Sequence, residues 1–213
     1  MAWKSPLFRG TTNNMKALAL LHLILLLRGA EATSPMVRIR LYDDANLGAE
    51  SRKSFRTEAA GILLKSGVSS VWLWCPPSPE APVECTQDVT GLELVLRILP
   101  RGMIGHDLAL GSSVADRDGG TYGLIYYPTV VRTARINSVP IPRLAAWAGV
   151  HEIGHLLLGA RAHWPSGIMN GRWDQNRVDE IVKAGPFFND AQSKQLRNSL
   201  MARARRGDGN GQR

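Results

Sequence analysis

"HEIGHLLLGARAHWPSGIM", residues 151–169, holds three of the chain's five histidines and a single glutamate. The apolar residues around its start predict a helix from about Pro142 to Leu158, and Gly159 is a natural stop for it. On such a helix His151 and His155 lie one turn apart on the same face. Two imidazoles stacked in this way can bring their nitrogens to about 2 Å from one zinc ion. Glu152 points partly aside, so it is a poor ligand, but it can reach a water on the open side of the metal. A zinc ion lowers the pKa of such a water to about 7 and polarises a carbonyl. That makes Glu152 the candidate general base, able to hand the proton on to a leaving amine. The bland alternative is a pair of structural histidines, since a His-Glu-x-x-His pattern also arises by chance. The preceding strand, the apolar helix and the closing glycine favour the metal.

A catalytic zinc usually takes three protein ligands and leaves its fourth position to water. From the residues alone the third ligand is open: His163 follows in the same stretch, and Asp174, Asp179 and Glu180 lie downstream. The quoted stretch resembles the zincin metallopeptidases, and among them the metzincin branch, archaemetzincins included. Their motif is H-E-x-x-H-x-x-G-x-x-H followed by a methionine turn. The resemblance implies a zinc-dependent peptidase acting on protein or peptide substrates, with His151, His155 and His163 as ligands and Glu152 as catalytic base. It also implies that Gly159 turns the chain and that Met169, after Pro165-Ser166-Gly167, lies beneath the metal.

The stretch departs from that pattern in two places. Gly159 stands four residues past His155 rather than three, and His163 eight rather than six. Strict spacing would put Arg161 at the third ligand position, where it cannot bind zinc. A longer helix end and a wider turn are expected to return His163 to the metal. The family often carries a tyrosine two residues after the methionine; here Gly171 stands there, leaving Arg172 or backbone N–H groups to stabilise developing charge. In the gluzincin branch a downstream carboxylate, here Glu180, would be the third ligand, but that reading leaves Gly159 and Met169 unexplained. The competing functional class is a zinc-stabilised module that hydrolyses nothing. Glu152 argues against it, because a structural site needs no such acid and takes a fourth protein ligand. His106 sits in a Gly-rich loop and is expected to be solvated.

Outward from the motif, residues 36–43 alternate Val37, Ile39 and Leu41 against Arg38, Arg40 and Tyr42, the period of a strand with one buried face. A surface helix is expected over 47–66 and strands over 68–75 and 92–99. Residues 101–120 read as loop with a short edge strand over 108–112, residues 121–127 as a strand and 128–141 as a Pro-punctuated link. After Gly159 the chain reads as irregular until a final helix over 189–204, opened by an Asn189/Gln192 capping box. The expected fold class is α/β (α+β), metzincin-like: a mixed twisted sheet packed on the motif helix, with a small C-terminal subdomain ending in a helix.

Lys16, the apolar run 17–27 and the Ala30-x-Ala32 pattern read as a signal peptide over 1–32, cleaved near Ala32. Residues 33–202 are then the catalytic domain and 203–213 a disordered basic tail. The implied location is secreted or periplasmic, with no permanent membrane span, since 11 apolar residues are too few for one. Removing 1–32 takes four of 26 basic and one of 18 acidic residues, leaving +5. The tail carries +3 of that through Arg203, Arg205, Arg206 and Arg213 against Asp208, so the body is near +2. This balance excludes a nucleic-acid partner, and a monomer is expected. Cys75 and Cys85 flank a Pro-rich stretch and are expected to form a disulfide in an oxidising compartment.

Overall fold

Val37, Ile39 and Leu41 are all fully buried in strand β1 (Met36–Asp43), as their alternation predicts. The computed structural model describes Met1 and residues 35–102 and 108–209. The expected signal peptide and His106 lie outside the described residues. The chain divides into two units, Met1–Thr33 and Ser34–Arg213, and everything below concerns the second.

Its strands are β1, β2 (Ser69–Cys75), β3 (Glu93–Leu99), β4 (Gly111–Asp116) and β5 (Gly119–Tyr126). They form one sheet in the order β2-β1-β3-β5-β4. The pairs β1–β2, β1–β3 and β3–β5 are parallel, and only the edge strand β4 runs antiparallel, against β5. Parallel strands are normally covered on both faces, and β1 departs from its expected one-sided burial for that reason. Arg40, read as solvent-facing, is 2% exposed and donates to Glu93 Oε2 at 2.6 Å and to the Asp88 carbonyl at 2.9 Å. The segment that covers this face is anchored by the Cys75–Cys85 disulfide and by the Tyr42 hydroxyl donating to the Cys85 carbonyl.

Helix α1 (Ala49–Lys65) buries Phe55, Ala59, Ile62 and Leu63, matching its helical apolar spacing. Helix α2 (Tyr127–Ile136) replaces the expected link: Pro128 occupies the first turn, where its missing N–H costs nothing, and Val130 and Ala134 pack inward. Helix α3 (Ile141–Leu158) carries the motif and is buried continuously from Leu144 to Leu157. A helix apolar all round is a core helix, and α3 packs against α1, α2 and the β3–β5–β4 side of the sheet.

Two further helices follow. Helix α4 (Gln175–Ala184) lies in the stretch expected to be irregular; Asp174 caps it by accepting from the Arg177 N–H at 3.0 Å, and Val178 and Ile181 are its buried face. Helix α5 (Asp190–Gly209) opens on the expected capping box, with reciprocal bonds of 2.9 Å between Asn189 and Gln192. The Arg203 guanidinium donates to the carbonyls of Leu156 and Gly120, which ties α5 to the C-terminal end of α3. Among the described residues no helix is long and apolar enough to cross a membrane.

Candidate metal centre

His151 and His155 are 5% and 6% exposed on α3, one turn apart. The Nδ1 of His151 lies 2.7 Å from the Ile168 carbonyl and that of His155 3.3 Å from the Gly159 carbonyl. A carbonyl can only accept, so each Nδ1 carries the proton and each Nε2 presents a bare lone pair. Those lone pairs face one another, the two Nε2 atoms being 3.1 Å apart. His163 completes the group, its Nε2 lying 3.0 Å from that of His155. Among the described residues this is the one group of three His, Cys, Asp or Glu side chains whose ligand atoms converge, all within 4.8 Å of one another. Bare imidazole nitrogens so close repel unless a cation lies between them. Ligands about 2.0–2.1 Å from a tetrahedral zinc stand about 3.3 Å apart, so the spacing suits that ion.

Burial pushes the His151 imidazole down to about 3, the neighbouring histidines adding to the effect and the Ile168 carbonyl opposing it. His155 is lowered for the same main reason. Both are therefore neutral at physiological pH, the state a metal ligand requires. Glu152 is 4% exposed, and burial raises its carboxyl to about 8 against a hydrogen bond with Ser113. Gly111 of β4 lies so close that a Cβ there would stand 2.7 Å from Glu152 Oε1.

The two additional residues between His155 and His163 are absorbed where expected. Helix α3 runs through Leu158, and Gly159 reverses the chain at φ +99° with its Cα against the Arg117 carbonyl. The Ala160 N–H then donates to the Asp116 carbonyl at 2.8 Å and Ala162 N–H to the Gly159 carbonyl at 3.2 Å, returning His163 to the pair. Met169 is fully buried beneath α3. It fits because residue 154 is glycine: a Cβ there would meet the Met169 Sδ at 2.2 Å. The turn is closed by the Trp164 N–H donating to the Met169 carbonyl at 2.9 Å and the Asn170 amide donating to the Pro165 carbonyl at 2.8 Å. Gly171, where the family often has tyrosine, lies flat against the His163 ring; a Cβ would stand 2.9 Å from its Nδ1.

Glu180 does not join the cluster. Its side chain is 60% exposed, is paired with Arg177 and lines a separate cavity beside Ile181 and Phe187. The Asp174 carboxylate is engaged as the α4 cap, and Asp179 is exposed on α4.

The histidines and Glu152 open into a cleft of about 740 Å³, walled by β4 on one side and by α2 and Trp173 on others. Trp173 stands edge-on to His151, with ring centres 5.7 Å apart. The contributions of α2, Trp173 and Asn170 were missed in the sequence, because each depends on contacts distant along the chain. Gly154 was readable as the one residue without a side chain inside the His-Glu-x-x-His turn.

No protein-family model matches the chain, and no curated protein matches it by sequence. The mixed five-stranded sheet with its helices makes an archaemetzincin-like α/β fold, and that fold carries the histidine triad. Among solved structures it is similar to archaemetzincin from Methanopyrus kandleri, with a TM-score of 0.53 and 14% identity over 81% of this chain and 99% of that one. At that identity the likeness is one of fold.

Proposed function

We propose that the chain is a zinc-dependent peptidase acting on protein or peptide substrates. The observation that carries this reading is the convergence of three Nε2 atoms, those of His151 and His155 bare, beside a buried carboxyl group at the foot of an open cleft. His151, His155 and His163 hold the ion, and Met169 packs beneath their helix. Bound zinc supplies Lewis acidity toward a carbonyl and lowers the pKa of water. Burial alone keeps the Glu152 carboxyl protonated up to about pH 8, and the charge of a zinc held by the histidines would favour its ionised form; as the carboxylate it takes a proton from the attacking water and returns it to the leaving amine. Ser113 orients that carboxyl, and Trp173 buttresses the His151 ring.

The substrate pairs with the free edge of β4. The Tyr126 N–H donates to the Leu110 carbonyl, so residues 110, 112 and 114 bond to β5 and the backbone groups of Gly111 and Ser113 face outward. An edge strand in this state accepts an extended peptide by backbone pairing. The cleft is lined by residues 108–113 as well as by residues 172–175 around the histidines, which supports an endopeptidase that takes internal bonds of a chain. Export through the N-terminal segment accords with the disulfide, which forms in oxidising compartments.

The test is metal analysis of the purified protein together with digestion of an unstructured protein substrate. One zinc per chain and cleavage are expected. Glu152→Gln keeps the zinc and loses about 10²–10⁴-fold in kcat, and His163→Ala loses the metal. A zinc-loaded wild type that cleaves none of many substrates would leave only a non-hydrolysing zinc module.

A further inference from the structure

A second cavity, of about 610 Å³, adjoins the cleft at Ala160. It lies between the β4–β5 turn and the chain that returns to His163. Its walls carry Arg117 from the turn and Arg161 and Trp164 from the returning chain. Both arginines are exposed, and neither has a hydrogen bond or ion pair among the described residues. The one acidic residue lining the cavity, Asp116, is already engaged, with Oδ1 accepting from the Asp118 N–H at 2.7 Å. Trp164, 40% exposed, adds a flat apolar surface.

Two uncommitted guanidinium groups therefore face a space large enough for a side chain. Guanidinium groups are suited to bidentate pairing with carboxylates. Strand β4 runs from Gly111 to Asp116, and an antiparallel ladder is the more stable pairing. A substrate so paired has the residues N-terminal to its scissile bond at the Asp116 end. Glu152 contacts Gly111 and Ser113, so at about 3.3 Å per residue the cavity, which begins at Asp116, lies roughly three to five residues before that bond.

We propose that this cavity is a subsite for an acidic side chain of the substrate, N-terminal to the scissile bond, with Arg117 and Arg161 as the specificity-determining residues. The inference rests on the peptidase reading for its direction.

The experiment uses fluorescein-labelled peptides differing only in carrying Glu or Lys at the third to fifth positions before the cleaved bond. Binding to zinc-loaded Glu152→Gln is read by anisotropy, and cleavage by wild type is read separately. The Glu peptides bind about tenfold more tightly than the Lys peptides at low salt, and the ratio shrinks as salt screens the pairs. Arg117→Glu/Arg161→Glu inverts the ratio, whereas Arg117→Lys/Arg161→Lys preserves its sign. Equal binding of both peptides, or a preference that survives the double charge reversal, overturns the subsite. A protein that binds Glu peptides with the expected preference but cleaves nothing overturns the peptidase reading instead.

Discussion

Helix α3 and the returning segment 159–171 bring histidines to the same point by different means. On α3 the pair is placed by the helical repeat and locked in a wholly buried surround, with both rings about 5% exposed. His163 is exposed on a non-helical turn and is held by contacts from four places: the Asp116 carbonyl, the Met169 carbonyl, the flat face of Gly171 and the reversal at Gly159. A lesion on the helix side should therefore damage folding, and one on the loop side should damage metal affinity while sparing the fold.

The sharpest break is Gly154→Ala. A Cβ at 2.2 Å from the Met169 Sδ drives that methionine out of its seat. The overpacking costs about 1–3 kcal/mol, read as a lower urea midpoint at an unchanged slope. A variant as stable as wild type would mean that Met169 does not tie the returning segment to α3.

Gly171→Ala tests the other side. Its Cβ meets the His163 ring at 2.9 Å and displaces it. Zinc affinity should fall about tenfold or more, while the stability of the zinc-free protein changes by no more than about 0.5 kcal/mol. Competition with a chromophoric chelator measures the first and denaturation in excess chelator the second. Unchanged affinity would argue that His163 is not a ligand.

The smallest effect lies outside both regions and serves as a control. Burial alone would raise the Glu93 carboxyl, but the Thr90 N–H and Arg40 hold it below the usual carboxylate range. A depressed carboxylate contributes stability above its unfolded pKa and loses it as the pH falls through the folded value. Glu93→Gln should thus flatten the loss of stability below about pH 4.5 without changing zinc content at pH 7. A pH profile identical to wild type would show that the Arg40–Glu93 pair adds no acid-sensitive stability.

Much of the fold was legible because its signals are local. The strand periods of β1 and β3, the apolar run of α3 and the Asn189/Gln192 box all lie within a few residues of the structure they specify. Helices α2 and α4 are not legible locally, because a proline and a short polar run look like punctuation until Val130 and Ala134, or Val178 and Ile181, find a core to bury against. Strand β4 begins at Gly111 rather than Leu108 because its register is set by pairing with β5. An arginine is usually solvated, and only partners elsewhere in the chain bury Arg40 and half-bury Arg203.

The sequence by itself determined the His151–Glu152–His155 face, since a helical repeat of 3.6 residues places those side chains wherever the helix lies. It also contained the glycines that the site requires. Whether His163 closes the cluster was decided only by the tertiary structure. An irregular turn has no repeat of its own, and its path comes from the carbonyl of Asp116, the seat of Met169 and the bare Cα of Gly171 meeting it in space.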